Sequence, residues 1–113
     1  MKKIEAIIRP ERLEQVKEAL AEAGFNGLNV LSVTGRGRQR GVVHSGRGGE
    51  TTVIDMLPKV KLEVVVGDGQ VETAIEAIVT AARTGNIGDG KVFVMPVEDV
   101  VRVRTGERGD EAL

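Results

Sequence analysis

The hydrophobic period of this chain switches from two to 3.6 and back, and it does so twice. Lys3–Arg9 alternates and reads as a strand. Pro10 then sets φ at the first helical position, and Glu11 sits near the positive end of the helix dipole. Leu13, Val16 and Leu20 share a helix face that Ala19 and Ala23 widen, and Gly24 is placed to end it. Gly27–Thr34 reads as a second strand. Further on, Lys59–Val64 alternates strictly between charged and apolar residues. Val71, Ala74, Ile75, Ile78, Val79 and Ala82 then follow the spacing of an amphipathic helix, with Gly85 placed to stop it. Lys91–Met95 and Val100–Arg104 form a last pair of strand-like runs, and a polar tail from about 105 to 113 is expected to fray. Strand–helix–strand written twice predicts a single α+β domain over 1–113. Its form is a ferredoxin-like βαββαβ sandwich, an antiparallel sheet with both helices on one face. That fold serves many purposes, so function has to come from the residues.

Composition narrows the possibilities. The chain has 113 residues, enough for one core without a covalent staple. It contains no cysteine, which excludes disulfides, thiolate metal sites and thiol nucleophiles and fits a reducing, cytoplasmic setting. Sixteen basic residues against seventeen acidic ones leave a net charge of −1, which predicts no general attraction to nucleic acid or to a membrane surface. No apolar run approaches the ~20 residues of a membrane span, so no insertion is expected. Phe25 and Phe93 are the only aromatic residues, too few for base-stacking platforms.

Between the two halves lies a segment of another kind, expected to be a long mobile loop over about 37–58. Residues 35–49 hold six glycines, four arginines and the only histidine. Interruptions of this length are usually functional or disordered. Arg36, Arg38, Arg40 and Arg47 among glycines allow an RNA-binding segment that folds on contact, a protein-docking loop, or a passive linker. The acidic balance and missing aromatics favour protein docking. His44 stands alone and makes no metal site. Ser32 and Ser45 lack the context of a nucleophile.

Three other groupings carry charge or backbone donors. In Thr84–Lys91, glycines permit close approach of a ligand, exposed N–H groups can cradle phosphate oxygens, and Lys91 adds a positive charge. A glycine cap followed by a turn explains the same residues. Arg102 and Arg104, two apart on an expected strand, project together and suit phosphate or carboxylate recognition, or simply a solvated face. Lys59, Lys61 and Glu63 also share a strand face, and Lys59 stands at the mouth of the long loop. No grouping resembles a catalytic constellation, and no enzymatic activity is expected.

Taken together, Lys2–Pro10, Gly35–Gly41, Thr80–Val94 and Val101–Gly106, in this order and spacing, closely resemble the PII nitrogen-regulatory family over Met1–Thr105. The resemblance implies a homotrimer that binds ATP or ADP in clefts between subunits. Gly88, Asp89, Gly90 and Lys91 would hold the phosphates, completed by Arg102 and Arg104 from the neighbouring subunit. Gly35, Gly37, Arg38, Glu63 and Val65 match positions around the nucleotide, with Glu63 near the adenine. Gln39 matches a ligand of the magnesium that 2-oxoglutarate chelates. Lys59 matches the partner of that molecule's distal carboxylate, with Arg9, Gly41 and Ile87 close by. The long loop would dock on an ammonium transporter or a nitrogen-assimilation enzyme, Arg47 matching the arginine at its tip. The chain has no tyrosine, so the tyrosyl modification of many bacterial relatives is impossible; Thr51 or Thr52 falls there, and Gly49 replaces a serine phosphorylated in some photosynthetic relatives. One extra residue between Glu50 and Leu57 shifts the loop alignment. Control by ligands alone is the expectation.

Overall fold

The structure, a computed structural model, describes residues 1–36 and 56–113 together with the strands at 42–45 and 51–54. In chain order the elements are β1 (Lys2–Ile8), α1 (Leu13–Glu22), β2 (Asn29–Gly35), β3 (Val42–Ser45), β4 (Thr51–Ile54), β5 (Leu57–Val66), α2 (Val71–Ala82) and β6 (Gly90–Pro96). A four-stranded antiparallel sheet runs in the order β2-β5-β1-β6. This is the expected ferredoxin-like sandwich.

The core follows from the two periodicities. Ile4, Ala6 and Ile8 of β1 and Val60, Leu62, Val64 and Val66 of β5 are the alternate residues that face the helices, and all are buried. Val16 and Leu20 of α1 and Ala74, Ile78 and Ala82 of α2 close over them. Burial of each large aliphatic side chain contributes about 1.5–3 kcal/mol against the entropy of ordering the chain. Short 3-10 turns, Pro10–Arg12 and Asp68–Gln70, lead into the helices, so Pro10 begins a 3-10 turn and not the α-helix itself. Gly24 takes φ +94° just past α1, a conformation that favours glycine, which gives it the helix-ending role expected of it.

Three expectations are corrected. The segment between the halves contains an antiparallel pair, β3 with β4, in the register Val42↔Ile54 to Ser45↔Thr51. The strand expected from Lys59 also begins earlier, at Leu57. Pro58 fits there because it pairs with Thr34 of β2 alone, while β1 stops at Ile8 opposite Val60, so its missing N–H deprives no β1 carbonyl.

Val100–Arg104 is not a strand. Val101 makes one bridge to Arg108, and Arg102 N–H donates to Glu107 O (2.8 Å) while Gly106 N–H donates to Arg102 O (2.7 Å). The alternation there has no apolar layer to bury against, since Val103 is fully exposed. The tail expected to fray instead folds back: Gly109 N–H donates to Val100 O, Gly109–Ala112 forms a 3-10 turn, and Arg108 pairs with Asp99.

Candidate functional site

The connection from α2 to β6 is held by its own aspartate. Asp89 Oδ2 accepts the N–H groups of Thr84 and Gly85, each at 2.8 Å. Its Oδ1 accepts the Thr84 hydroxyl and, at 3.1 Å, Arg9 Nε. The Thr84 hydroxyl above all, then the two N–H groups and the Arg9 guanidinium, hold this carboxyl well below its ordinary range. Gly85, Gly88 and Gly90 take φ of +90°, +103° and +109°. At Gly90 the constraint is also steric: a Cβ would lie 1.7 Å from Ile7 O, where β6 crosses β1.

Cations from two other elements grip the outer turn of this connection. Arg9 Nη2 donates to Ile87 O at 2.8 Å, and Lys59 Nζ donates to Gly88 O at 2.8 Å. Lys59 is only 9% exposed. Burial first, and the Arg9 charge second, push its pKa down from the ordinary lysine value. One turn away, Arg12 Nε donates to Ala81 O at 3.0 Å and ties the start of α1 to the end of α2.

Together these elements enclose a cavity of about 610 Å³. Ile7, Lys59, Lys91 and Phe93 line it from the sheet, Asn86–Gly90 form one wall, and Gly35 with Arg36 form the other. Asp89 is the single carboxylate among these lining residues, and its oxygens already accept four hydrogen bonds. The cavity therefore presents lysine and arginine charge, glycine-bounded backbone and two apolar side chains. That chemistry suits a polyanion with an apolar part.

The structure thus gathers Gly35, Lys59, Ile87, Gly88, Asp89, Gly90 and Lys91 around one space, with Arg9 bracing them from behind. Asp89 is there as a clasp for the turn. Glu63 and Val65 lie farther along β5 and do not line the cavity. Glu63 pairs instead with Lys3 (3.2 Å) and Lys61 (3.6 Å) on the open sheet face, and Lys3 has its pKa raised, by Glu63 first and Glu5 second. Arg102 lies in the folded-back tail, where Glu107 (3.1 Å) and the carbonyl of Glu111 (3.1 Å) accept from its guanidinium. Arg104 is exposed in the adjoining turn. Neither arginine lines this chain's own cavity. Gly37, Arg38, Gln39, Gly41 and Arg47 lie outside the described residues. Arg36, Asn86, Ile7 and Phe93 line the cavity without having been singled out as ligand contacts. Strand parity signals Ile7 and Phe93, since both alternate with core residues, whereas Arg36 carries no such signal.

The sequence model of the family described as Nitrogen regulatory protein P-II matches residues 1–107. The chain belongs to the P-II family. Nitrogen regulatory protein P-II of Rhodobacter capsulatus is 58% identical over 113 residues, covering both chains completely, and that of Azospirillum brasilense is 60% identical over the same full length. Among solved structures, Arabidopsis thaliana PII bound to citrate superposes with a TM-score of 0.80 at 46% identity, over 98% of this chain and 87% of that one. P-II proteins are regulators of nitrogen metabolism by name, so the cavity belongs to a regulatory chain. Among the described residues of this P-II chain, no helix is long and apolar enough to cross a membrane.

Proposed function

We propose that this P-II protein senses energy and carbon status by binding ATP or ADP together with 2-oxoglutarate, and passes the state on through the segment between β2 and β5. The observation that carries the reading is the convergence of Lys59, Lys91 and the Gly88–Gly90 turn on one cavity at the foot of that segment, in a P-II chain. The citrate bound to the Arabidopsis protein, a polycarboxylate on a relative, supports a small anionic effector.

In this reading the phosphates lie on the backbone of Gly88, Asp89 and Gly90 and on Lys91. Arg102 and Arg104 of a neighbouring subunit complete the charge, and Gly35, Gly37, Arg38, Glu63 and Val65 surround the rest of the nucleotide. The 2-oxoglutarate carboxylate pairs with Lys59, near Arg9, Gly41 and Ile87. Lys59 already donates to Gly88 O, so an arriving carboxylate competes for the same ammonium. That competition couples the effector to the phosphate turn, and a ligand shifts the loop only by its differential affinity for the loop's states. Magnesium enters with the nucleotide. Among the described residues no cluster of carboxylates or imidazoles could hold it, and the cavity's one carboxylate is saturated. Gln39, the side chain assigned to the ion, lies outside the described residues, so no step is routed through the metal.

A homotrimer is part of the proposal. Leu31 and Phe93 on the open sheet face are 45% and 44% exposed, as suits a face covered by like subunits. The partner is an ammonium transporter or a nitrogen-assimilation enzyme, engaged in the cytoplasm by the loop around Arg47. The chain itself is not a catalyst, since Asp89, committed to four donors, is unavailable as a general base. Neither the cavity nor the comparisons favour the alternative of an RNA-binding module.

Calorimetric titration of 2-oxoglutarate with and without MgATP tests the reading. Binding only with MgATP supports it. Nucleotide binding without 2-oxoglutarate binding removes the roles of Gln39 and Lys59, and binding of neither ligand sinks the proposal.

A further inference from the structure

β2 ends at Gly35, and the next residue, Arg36, lines the cavity on the wall opposite the Gly88–Lys91 turn. The sheet order puts β2 and β6 at opposite edges, three strand spacings or about 14 Å apart. Lys59 on β5 lies between them, and Gly35 backs against it, a Cβ there falling 3.8 Å from Lys59 Cγ. The cations of the cavity thus run in a line across the sheet, Lys91, then Lys59, then Arg36. A polyphosphate anchored by its inner phosphates on the glycine turn extends along this line. Its last phosphate reaches toward Arg36 only when the chain of phosphates is long enough. A guanidinium suits that terminal position because its planar donors match two phosphate oxygens at once.

Resting on the nucleotide reading above, we infer that Arg36 is a specificity-determining residue that contacts the terminal phosphate of a nucleoside triphosphate and discriminates it from the diphosphate. Arg36 is exposed, and its replacement removes no core contact.

The test is calorimetric titration of MgATP and of MgADP into the full-length wild type, Arg36→Gln and Arg36→Lys. Loss of one charge-assisted contact predicts about tenfold weaker MgATP binding in Arg36→Gln. MgADP affinity should stay within about twofold on the same reasoning, and Arg36→Lys should fall between wild type and Arg36→Gln for MgATP. Equal weakening of both nucleotides, or no change in either, overturns the inference. So does a variant that keeps wild-type MgATP affinity but loses 2-oxoglutarate affinity at saturating MgATP, which would place Arg36 at the carboxylate. A wild type that binds neither nucleotide removes the nucleotide reading itself and this inference with it. Coincident thermal melts of the three proteins establish that the fold is common to them.

Discussion

Single residues in the turn after α2 divide between building it and meeting a ligand. Asp89 builds it. Its depressed pKa means that its stabilising contribution is complete above its ordinary value of 3.8 and is lost as pH falls through the lower folded value. Acid titration of thermal stability should therefore show a decline below about pH 4 that is shallower in Asp89→Asn, with weaker nucleotide binding in the same variant at neutral pH. An unchanged acid profile would remove Asp89 from this role. Gly90 builds it too, by necessity. Gly90→Ala puts a methyl on the Ile7 carbonyl at a φ that L side chains rarely adopt, and should destabilise the protein by about 3 kcal/mol or more in urea denaturation. Arg9 spans both roles, since it grips Asp89 and the Ile87 carbonyl from a residue 80 positions away.

Among the elements, β5 does most to place the site. Its even-numbered residues from Val60 to Val66 are core, and the intervening residues put Lys59, Lys61 and Glu63 on the open face. That parity brings Lys59 to the cavity and leaves Glu63 in ion pairs with Lys3 and Lys61. α2 supplies the other wall by ending where it does. Ile78 is fully buried beneath it, and Ile78→Ala should cost about 2–5 kcal/mol in equilibrium unfolding through the cavity left behind. A cost under about 1 kcal/mol would mean that α2 does not anchor the core. The segment after Asp99 shows why Val-Arg-Val-Arg alternation is insufficient for a strand. With no sheet edge to bury its valines, the chain turns at Gly106 and Gly109 and satisfies its backbone within the tail.

At the scale of the molecule, one face of the sheet is covered by helices and the other carries charge pairs beside exposed Leu31 and Phe93. If that open face is the trimer interface, Phe93→Asp should shift sedimentation from trimer to monomer. A variant that still sediments as a trimer would exclude the face around Phe93 as the contact. The cavity lies at the end of this same face, so loss of the trimer and loss of nucleotide binding should coincide.

The two helices, the four sheet strands and the core face of each were legible in the sequence because hydrophobic periodicity is local and repeats within a few residues. The glycine turn at 85–90 and the position of Lys59 were legible for the same reason. Only the tertiary structure decided which of these residues meet. It spent Asp89 on Thr84, Gly85 and Arg9, it paired Glu63 with lysines away from the cavity, and it brought Arg36 to the wall facing Lys91. Those outcomes depend on strand order and crossing geometry between segments far apart in the chain, where a local pattern carries no information.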